Sequence, residues 1–155
     1  MVRQARCAER LFVYLFRPLR QTGVTAGDIM VDLFNPTEEH EALRRMVRDF
    51  SENEIAPQAE ASDRAEKFNV GLFRRLGQLG LLGVTVEERF GGSEMGPIAA
   101  VIAHEEIAAA DPGFCLAYLA HAMLFANNLQ YNGNDEQRAK YLPDACSGAK
   151  IGGMC

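Results

Sequence analysis

The sequence has no tryptophan, only 3 histidines and only 4 cysteines. The histidines, His40, His104 and His121, are scattered. They stand beside no serine or cysteine in a pattern that would mark a nucleophilic triad or dyad. Cys7, Cys115, Cys146 and Cys155 form no CxxC pair and no Cys/His cluster at zinc-ligand spacing, so no metal site is expected. Cys115 lies in an apolar run and reads as a buried free thiol of a reducing compartment. No stretch reaches the ~18 consecutive apolar residues of a membrane-spanning helix. The longest approach, Phe114–Ala126, is interrupted by His121 and suits a buried helix. Positive charge is also scarce, with a net charge of −5, which argues against non-specific binding to nucleic acid or anionic lipid.

What is present is an ordinary globular composition, 48% hydrophobic and 24% charged over 155 residues, enough for one domain with its own core. The charge is unevenly spread. Residues 1–27 carry Arg3, Arg6, Arg10, Arg17 and Arg20 against Glu9 alone. This basic arm, taken as residues 1–29, stands apart from the body. Its apolar segment Leu11–Phe16 is too short for a secretory signal and is followed at once by Arg17. Three readings stay open: a mitochondrial transit peptide, against which the lack of serine counts; an upstream extension with Met30 as the working start; or a functional arm. The expected location is cytoplasmic, with the mitochondrial matrix as the alternative if the arm is a transit peptide.

The body reads as helices punctuated by glycine and proline. Asn35-Pro36-Thr37-Glu38 is a helix start, with Asn35 or Thr37 as the cap. The stripe Leu43, Met46, Val47, Phe50, Ile55 follows, and Pro57 is expected to end or bend this helix. Gln58–Lys67 reads as a loop. Asn69 caps a second helix holding Leu72, Phe73, Leu76 and Leu79, broken by Gly77, Gly80 and Gly83. Val84–Val86 reads as extended. A loop through Gly91-Gly92 leads to a third helix from Pro97 or Ile98, with Ile98, Val101, Ile102 and Ala108 as its stripe. Asp111-Pro112 stops that helix and starts a fourth, apolar on most sides and central, running to about Tyr131 and ending at Gly133. Asn134-x-x-Gln137 is a capping box for a short helix to Leu142, before Pro143. Ile151–Cys155 reads as a strand just starting.

Two apparent motifs carry no chemistry. His104-Glu105-Glu106-Ile107-Ala108 begins like a zinc-protease helix, but Ala108 stands where the second histidine ligand is needed. The stretch Gly91–Gly96 lacks both the GxGxxG spacing and the Lys-Ser/Thr of a phosphate loop. A lone buried His121 is either a hydrogen-bonded core residue or part of a pocket wall. Composition and spacing therefore give a helical domain without its own catalytic set.

Three ordered stretches resemble the acyl-CoA dehydrogenase family. The first is Leu76-Gly77-x-x-Gly80-Leu-Leu-Gly83 with Val86-Glu87-Glu88-Arg89-Phe90-Gly91-Gly92. The second runs from Glu105-Glu106-Ile107-Ala108 to Asp111-Pro112. The third is Gly133-Asn134-Asp135-Glu136-Gln137-x-x-Lys140-Tyr141-Leu142-Pro143, followed by Ser147-Gly148 and Ile151-Gly152. The resemblance covers Leu33–Cys155 and implies an all-α fold of about five helices, the family's amino-terminal domain, ending at the first residues of a β strand. It implies a helical domain over residues 30–150 and the start of a β domain at 151–155. It also implies FAD as cofactor, an acyl-CoA substrate and electron-transfer flavoprotein as partner. A glutamate takes the α proton while a β hydride passes to the flavin, and hydrogen bonds to the thioester oxygen acidify that proton. Full-length members are homotetramers.

By the same resemblance, Met154 and Cys155 are the expected cofactor-binding residues, at the start of the family's first flavin-contacting strand. Ala117, Ala120, His121 and Leu124 are the expected substrate-pocket residues, and Tyr118-x-Ala120-His121 resembles the isovaleryl-type branch. No catalytic residue is expected in this chain, because the family's catalytic glutamate lies beyond Cys155. The expectation is a segment of an FAD-dependent acyl-CoA dehydrogenase for a short or branched acyl group, inactive and self-associating when alone. The alternatives are a non-catalytic helical docking domain and an acyl-CoA oxidase relative.

Overall fold

The computed structural model describes residues 37–153, which fall within one compact unit. The basic arm, Asn35, Pro36, Met154 and Cys155 lie outside the described residues. Among the described residues the secondary structure is helical throughout, with no strand.

Thr37 opens the first helix, α1 (Glu38–Phe50), with its side-chain oxygen accepting the His40 N–H. Thr37 is therefore the cap of this helix. Glu38, Glu39 and Glu41 sit in the first turn, where they complement the helix dipole. Leu43, Val47 and Phe50 are buried on one face.

The rod does not stop at Pro57. A π-helical turn, Ser51–Ile55, follows α1 directly and leads into α2 (Ala56–Arg64), in which Pro57 sits at the first positions. A proline in a helix interior lacks an N–H and crowds the carbonyl one turn back. Placed at the start of α2, behind a widened turn, it is tolerated. Side chains cover neighbouring carbonyls: Asn53 Nδ2 donates to Asp49 O at 2.7 Å and Gln58 Nε2 to Glu54 O at 2.6 Å. The expected loop Gln58–Lys67 is thus corrected to helix as far as Arg64, and it buries no residue. Its polar surface is a solvated helix face rather than a loop signal.

Asn69 caps α3 (Val70–Gln78) by accepting the Leu72 N–H, and Leu72, Phe73 and Leu76 are buried. Gly80, at φ +76°, then turns the chain into a single 3-10 turn, Leu81–Gly83. Val84–Val86, expected to be extended, is instead part of a tight loop, with Val84 and Val86 buried. The loop folds back on itself: Ser93 N donates to Gly83 O, Glu94 N to Val86 O and Met95 N to Val84 O, at 3.0, 3.0 and 2.9 Å. These bonds within the loop satisfy the backbone that a partner strand would otherwise have to satisfy.

Helix α4 (Gly96–Ala110) shows where periodicity misleads. It buries Ala99, Ala100, Ile102, Ala103, Glu106 and Ile107, while the expected stripe residues Ile98 and Val101 are exposed. The helix is apolar on most sides, so hydrophobic spacing does not select a face. The buried face adds Ala99, Ala100 and Ala103 to Ile102 and Ile107, and α1 packs along α4.

Asp111 both ends α4 and caps α5 (Pro112–Leu119), its side chain accepting the Phe114 N–H at 2.9 Å. The helical backbone continues through an eight-residue π segment, Ala120–Asn127, into α6 (Asn128–Asn132). Together these make the expected fourth helix, the central rod, ending at Gly133. A Cβ on Gly133 would lie 2.6 Å from the Leu129 carbonyl. Asn134 and Gln137 form the full reciprocal capping box of α7 (Asp135–Cys146). This helix runs past Leu142 and carries Pro143 inside it, correcting the expected stop. Residues 147–153 then pass without regular strand structure along the rod.

The main core joins α1, α3, α4 and α5 around Val47, Phe73, Leu76, Ile102, Ile107 and Tyr118. A second cluster, Val86, Phe90, Ala126, Leu142 and Cys146, packs α7 and the Glu88–Phe90 turn onto the rod.

Candidate functional site: the central rod and its connector

The rod presents the four expected pocket residues along one stripe, since positions 117, 120, 121 and 124 follow helical spacing. Ala117 and Ala120 are half-buried, Leu124 is 40% exposed and His121 is fully enclosed. Leu116, at 66%, is the most exposed apolar side chain of the rod before its last turn. The stripe crosses into the π segment at Ala120, where each turn holds one more residue than an α turn. Single π turns inside α-helices recur at functional sites. No pattern in the sequence announces this segment, and sequence reasoning missed it.

His121 is the most constrained residue of the four. Its Nδ1 accepts the Gly152 N–H at 2.9 Å, and its Nε2 lies 3.1 Å from Ala145 O. Phe73 meets the ring edge-on, with centroids 5.4 Å apart. Three residues earlier, Tyr118 is buried and donates its hydroxyl to Leu81 O at 2.9 Å. The His104 ring lies tilted against Tyr118 with centroids 4.6 Å apart, and its Nδ1 lies 2.6 Å from Ala100 O.

Burial holds both His104 and His121 below the usual imidazole range, against the opposing pull of the carbonyls that they contact. A depressed pKa means that the unfolded chain binds the proton more readily. The stabilisation is therefore whole above the unfolded value of 6.5 and is lost as pH falls below it. Thermal midpoints should be level between about pH 7 and 8 and fall between about 6.5 and 5.5, above the range where carboxylates titrate. A flat midpoint across that lower window would contradict this.

The glycine-rich motif contributes structure rather than chemistry. Glu87 accepts from Gln130 Nε2 at 2.5 Å and pairs with Arg89, whose bond holds the Glu87 carboxyl below its usual range. This ties the loop to the end of the rod. The His104-Glu105-Glu106 sequence is likewise absorbed. Glu106 accepts from Arg44 Nη1 at 2.7 Å and from Arg48 Nε and Nη2 at 2.8 and 2.9 Å, which pins α4 to α1. Arg44 and Arg48 stand four residues apart on one face of α1, a spacing legible in the sequence, but nothing local shows their acceptor 58 to 62 residues away. Both described cysteines are buried and free, and burial raises Cys146 to about 11, so neither is a ready thiolate.

Residues 37–149 match the sequence family described as "Acyl-CoA dehydrogenase, N-terminal domain". The chain belongs to the acyl-CoA dehydrogenase family. It is 41% identical over 120 residues to the mitochondrial isovaleryl-CoA dehydrogenase of Pongo abelii, covering 76% of this chain and 28% of that protein. It is 34% identical over 116 residues to an acyl-CoA dehydrogenase of Bacillus subtilis (strain 168), covering 75% and 31%. Among solved structures it is similar to butyryl-CoA dehydrogenase from Megasphaera elsdenii, with a TM-score of 0.68 at 28% identity over 74% of this chain and 31% of that one. The chain thus spans about 30% of the length of the family relatives that it matches. The helical architecture is that of the acyl-CoA dehydrogenase amino-terminal domain. No described helix is long and apolar enough to cross a membrane.

Proposed function

We propose that this chain supplies the amino-terminal helical part of a flavin-dependent acyl-CoA dehydrogenase, with the stripe Ala117, Ala120 and Leu124 forming the floor of an acyl pocket and His121 supporting it from behind. The observation that carries this reading is the stripe itself. It is a run of small and apolar side chains on the central rod, partly open to the surface, in a domain of this family. Two alanines leave room for a methyl branch, in keeping with the similarity to isovaleryl-CoA dehydrogenases. In this reading the substrate is a short or branched acyl-CoA and electrons leave to an electron-transfer flavoprotein. The assembly is a tetramer in the whole enzyme and self-association through the rod's exposed apolar side chains for the chain alone.

FAD is the cofactor that the family uses. The described residues do not build a flavin site on their own. Their buried side-chain polar atoms without a partner are Ser51 Oγ, His104 Nε2, Gln130 Oε1 and Arg138 Nε, and none of these residues lines the two described surface grooves. The expected contacts Met154 and Cys155 lie outside the described residues. In this reading residues 30–150 are the helical domain and 151–155 lead into the flavin-binding part. The compartment follows from residues 1–29: cytoplasmic if they are an extension, mitochondrial matrix if they are a transit peptide.

The test is a domain graft. Residues 37–153 replace the matching segment of the Bacillus subtilis relative, and dye-linked oxidation of butyryl-CoA and isovaleryl-CoA is measured. Turnover is expected, and Ala120→Phe should cost the graft about tenfold or more in kcat/KM for isovaleryl-CoA by filling the pocket floor. A graft that holds flavin but gives equal rates with alanine or phenylalanine at position 120 would show that the stripe does not touch substrate.

A further inference from the structure

The connector after α7 is fastened to the π segment of the rod at one point, Gly152, and from two directions. His121 Nδ1 accepts the Gly152 N–H at 2.9 Å, while the Phe125 ring lies so close that any side chain at position 152 would overlap it. His121 and Phe125 are one turn apart in the π segment, with ring centroids 6.2 Å apart. The other nitrogen of the same imidazole reaches Ala145 O, in the last turn of α7. One side chain therefore joins the rod, the end of α7 and the connector, across sequence separations of 24 and 31 residues.

The proton arrangement is fixed by the partners. A backbone amide can only donate and a carbonyl can only accept. Nδ1 must carry the lone pair and Nε2 the hydrogen. Neither nitrogen has capacity left for a ligand, and the side chain is closed to solvent. His121 therefore stands behind the pocket stripe without offering it a polar group.

We propose that His121 is a positioning residue whose single tautomer fixes where the connector leaves the helical domain. It thereby holds the connector at Gly152 in register with Ala117, Ala120 and Leu124 on the same rod. The consequence for catalysis rests on the acyl-CoA dehydrogenase reading above; the clamp itself does not. A pocket floor and the approach to the flavin would then be set by one imidazole rather than by two independent elements.

Asparagine and glutamine separate the two bonds. In His121→Asn the amide oxygen takes the place of Nδ1 and can still accept from Gly152. In His121→Gln the amide nitrogen can still reach Ala145 O, but no acceptor remains beside Gly152. The readout is hydrogen exchange of the Gly152 amide by NMR on the full 155-residue chain, with the amides of Leu76 and Ile102 as monitors of global opening. The Gly152 amide should exchange about tenfold faster in His121→Gln, the size of one net hydrogen bond, and stay close to the unsubstituted rate in His121→Asn. The imidazole nitrogen-15 spectrum of the unsubstituted chain is a second reading that needs no variant to fold. It should show Nδ1 bare and Nε2 protonated. Equal acceleration in both variants, or a protonated Nδ1, would overturn the clamp. Because no flavin or thioester is present, a failed clamp leaves the domain graft to be judged separately. A graft without acyl-CoA turnover beside a rescued Gly152 amide would instead sink the proposed pocket role.

Discussion

Glu106→Ala should destabilise the chain by about 3 kcal/mol or more, measured as the loss in unfolding free energy from urea titration followed by circular dichroism. The Glu106 side chain is only 8% exposed and takes three charge-assisted bonds from two guanidinium groups. Removing it takes one carboxylate from Arg44, itself 16% exposed in a low-dielectric seam, with the Glu105 carboxylate still at 2.8 Å. Breaking a buried pair from one side costs about 3–5 kcal/mol because the other charge stays behind. The lower end applies here, since Arg48 is 53% exposed and can turn to water. Glu106→Gln keeps the shape and some hydrogen bonding, so it should cost less. A loss below about 1 kcal/mol for alanine would mean that the seam is solvated in solution and that α1 is held to α4 by its apolar contacts alone. Arg48, ahead of Arg44, holds the Glu106 carboxyl below its usual range. The contribution is therefore whole above the unfolded value of 4.5 and is lost as pH falls through the lower folded value.

Gly92→Ala should cost a similar amount, about 3 kcal/mol, for a reason of space rather than charge. A Cβ at position 92 would overlap the Val86 carbonyl and side chain, inside the fold-back loop. The carbonyl cannot move freely, because it accepts the Glu94 N–H at 3.0 Å and Val86 is fully buried in the second core cluster. Gly91→Ala is the informative neighbour. Gly91 sits at φ +84° with nothing nearer than 3.8 Å to an added Cβ, so it should lose only the left-handed backbone penalty of about 1–2 kcal/mol. If Gly92→Ala costs no more than Gly91→Ala, the loop does not pack as tightly against Val86 as described.

The helix starts were written plainly in the sequence. Asn69, Asp111 and the Asn134/Gln137 pair cap the helices that they announce, because a cap is a contact between residues three apart and needs no tertiary information. The ends and interruptions were not. Pro57 reads as an end or a bend and Pro143 as a stop, yet one sits at the start of a helix behind a π turn and the other within α7. The π turn ahead of Pro57 and the burial of Leu142, Ala145 and Cys146 around Pro143 belong to the folded chain and not to the local pattern. The face of α4 was illegible for a different reason. Its buried side holds three alanines beside Ile102 and Ile107 while its exposed side holds Ile98 and Val101, so hydrophobicity does not single out the contact. For the site, the family resemblance carried the reading as far as the stripe on the rod. The Arg44–Glu106–Arg48 seam and the His121–Gly152 clamp are pairings across long stretches of chain, visible only once the fold brings them together.

The central claim is that this domain shapes an acyl-CoA dehydrogenase pocket but does not itself hold the flavin or the base. The most direct test is the visible absorbance spectrum of the purified 155-residue chain after incubation with FAD and desalting, with dye-linked oxidation of butyryl-CoA on the same sample. The account predicts no flavin retained near one per chain and no turnover. Stoichiometric flavin together with turnover would contradict it, because the helical domain would then contain a cofactor site and a base of its own.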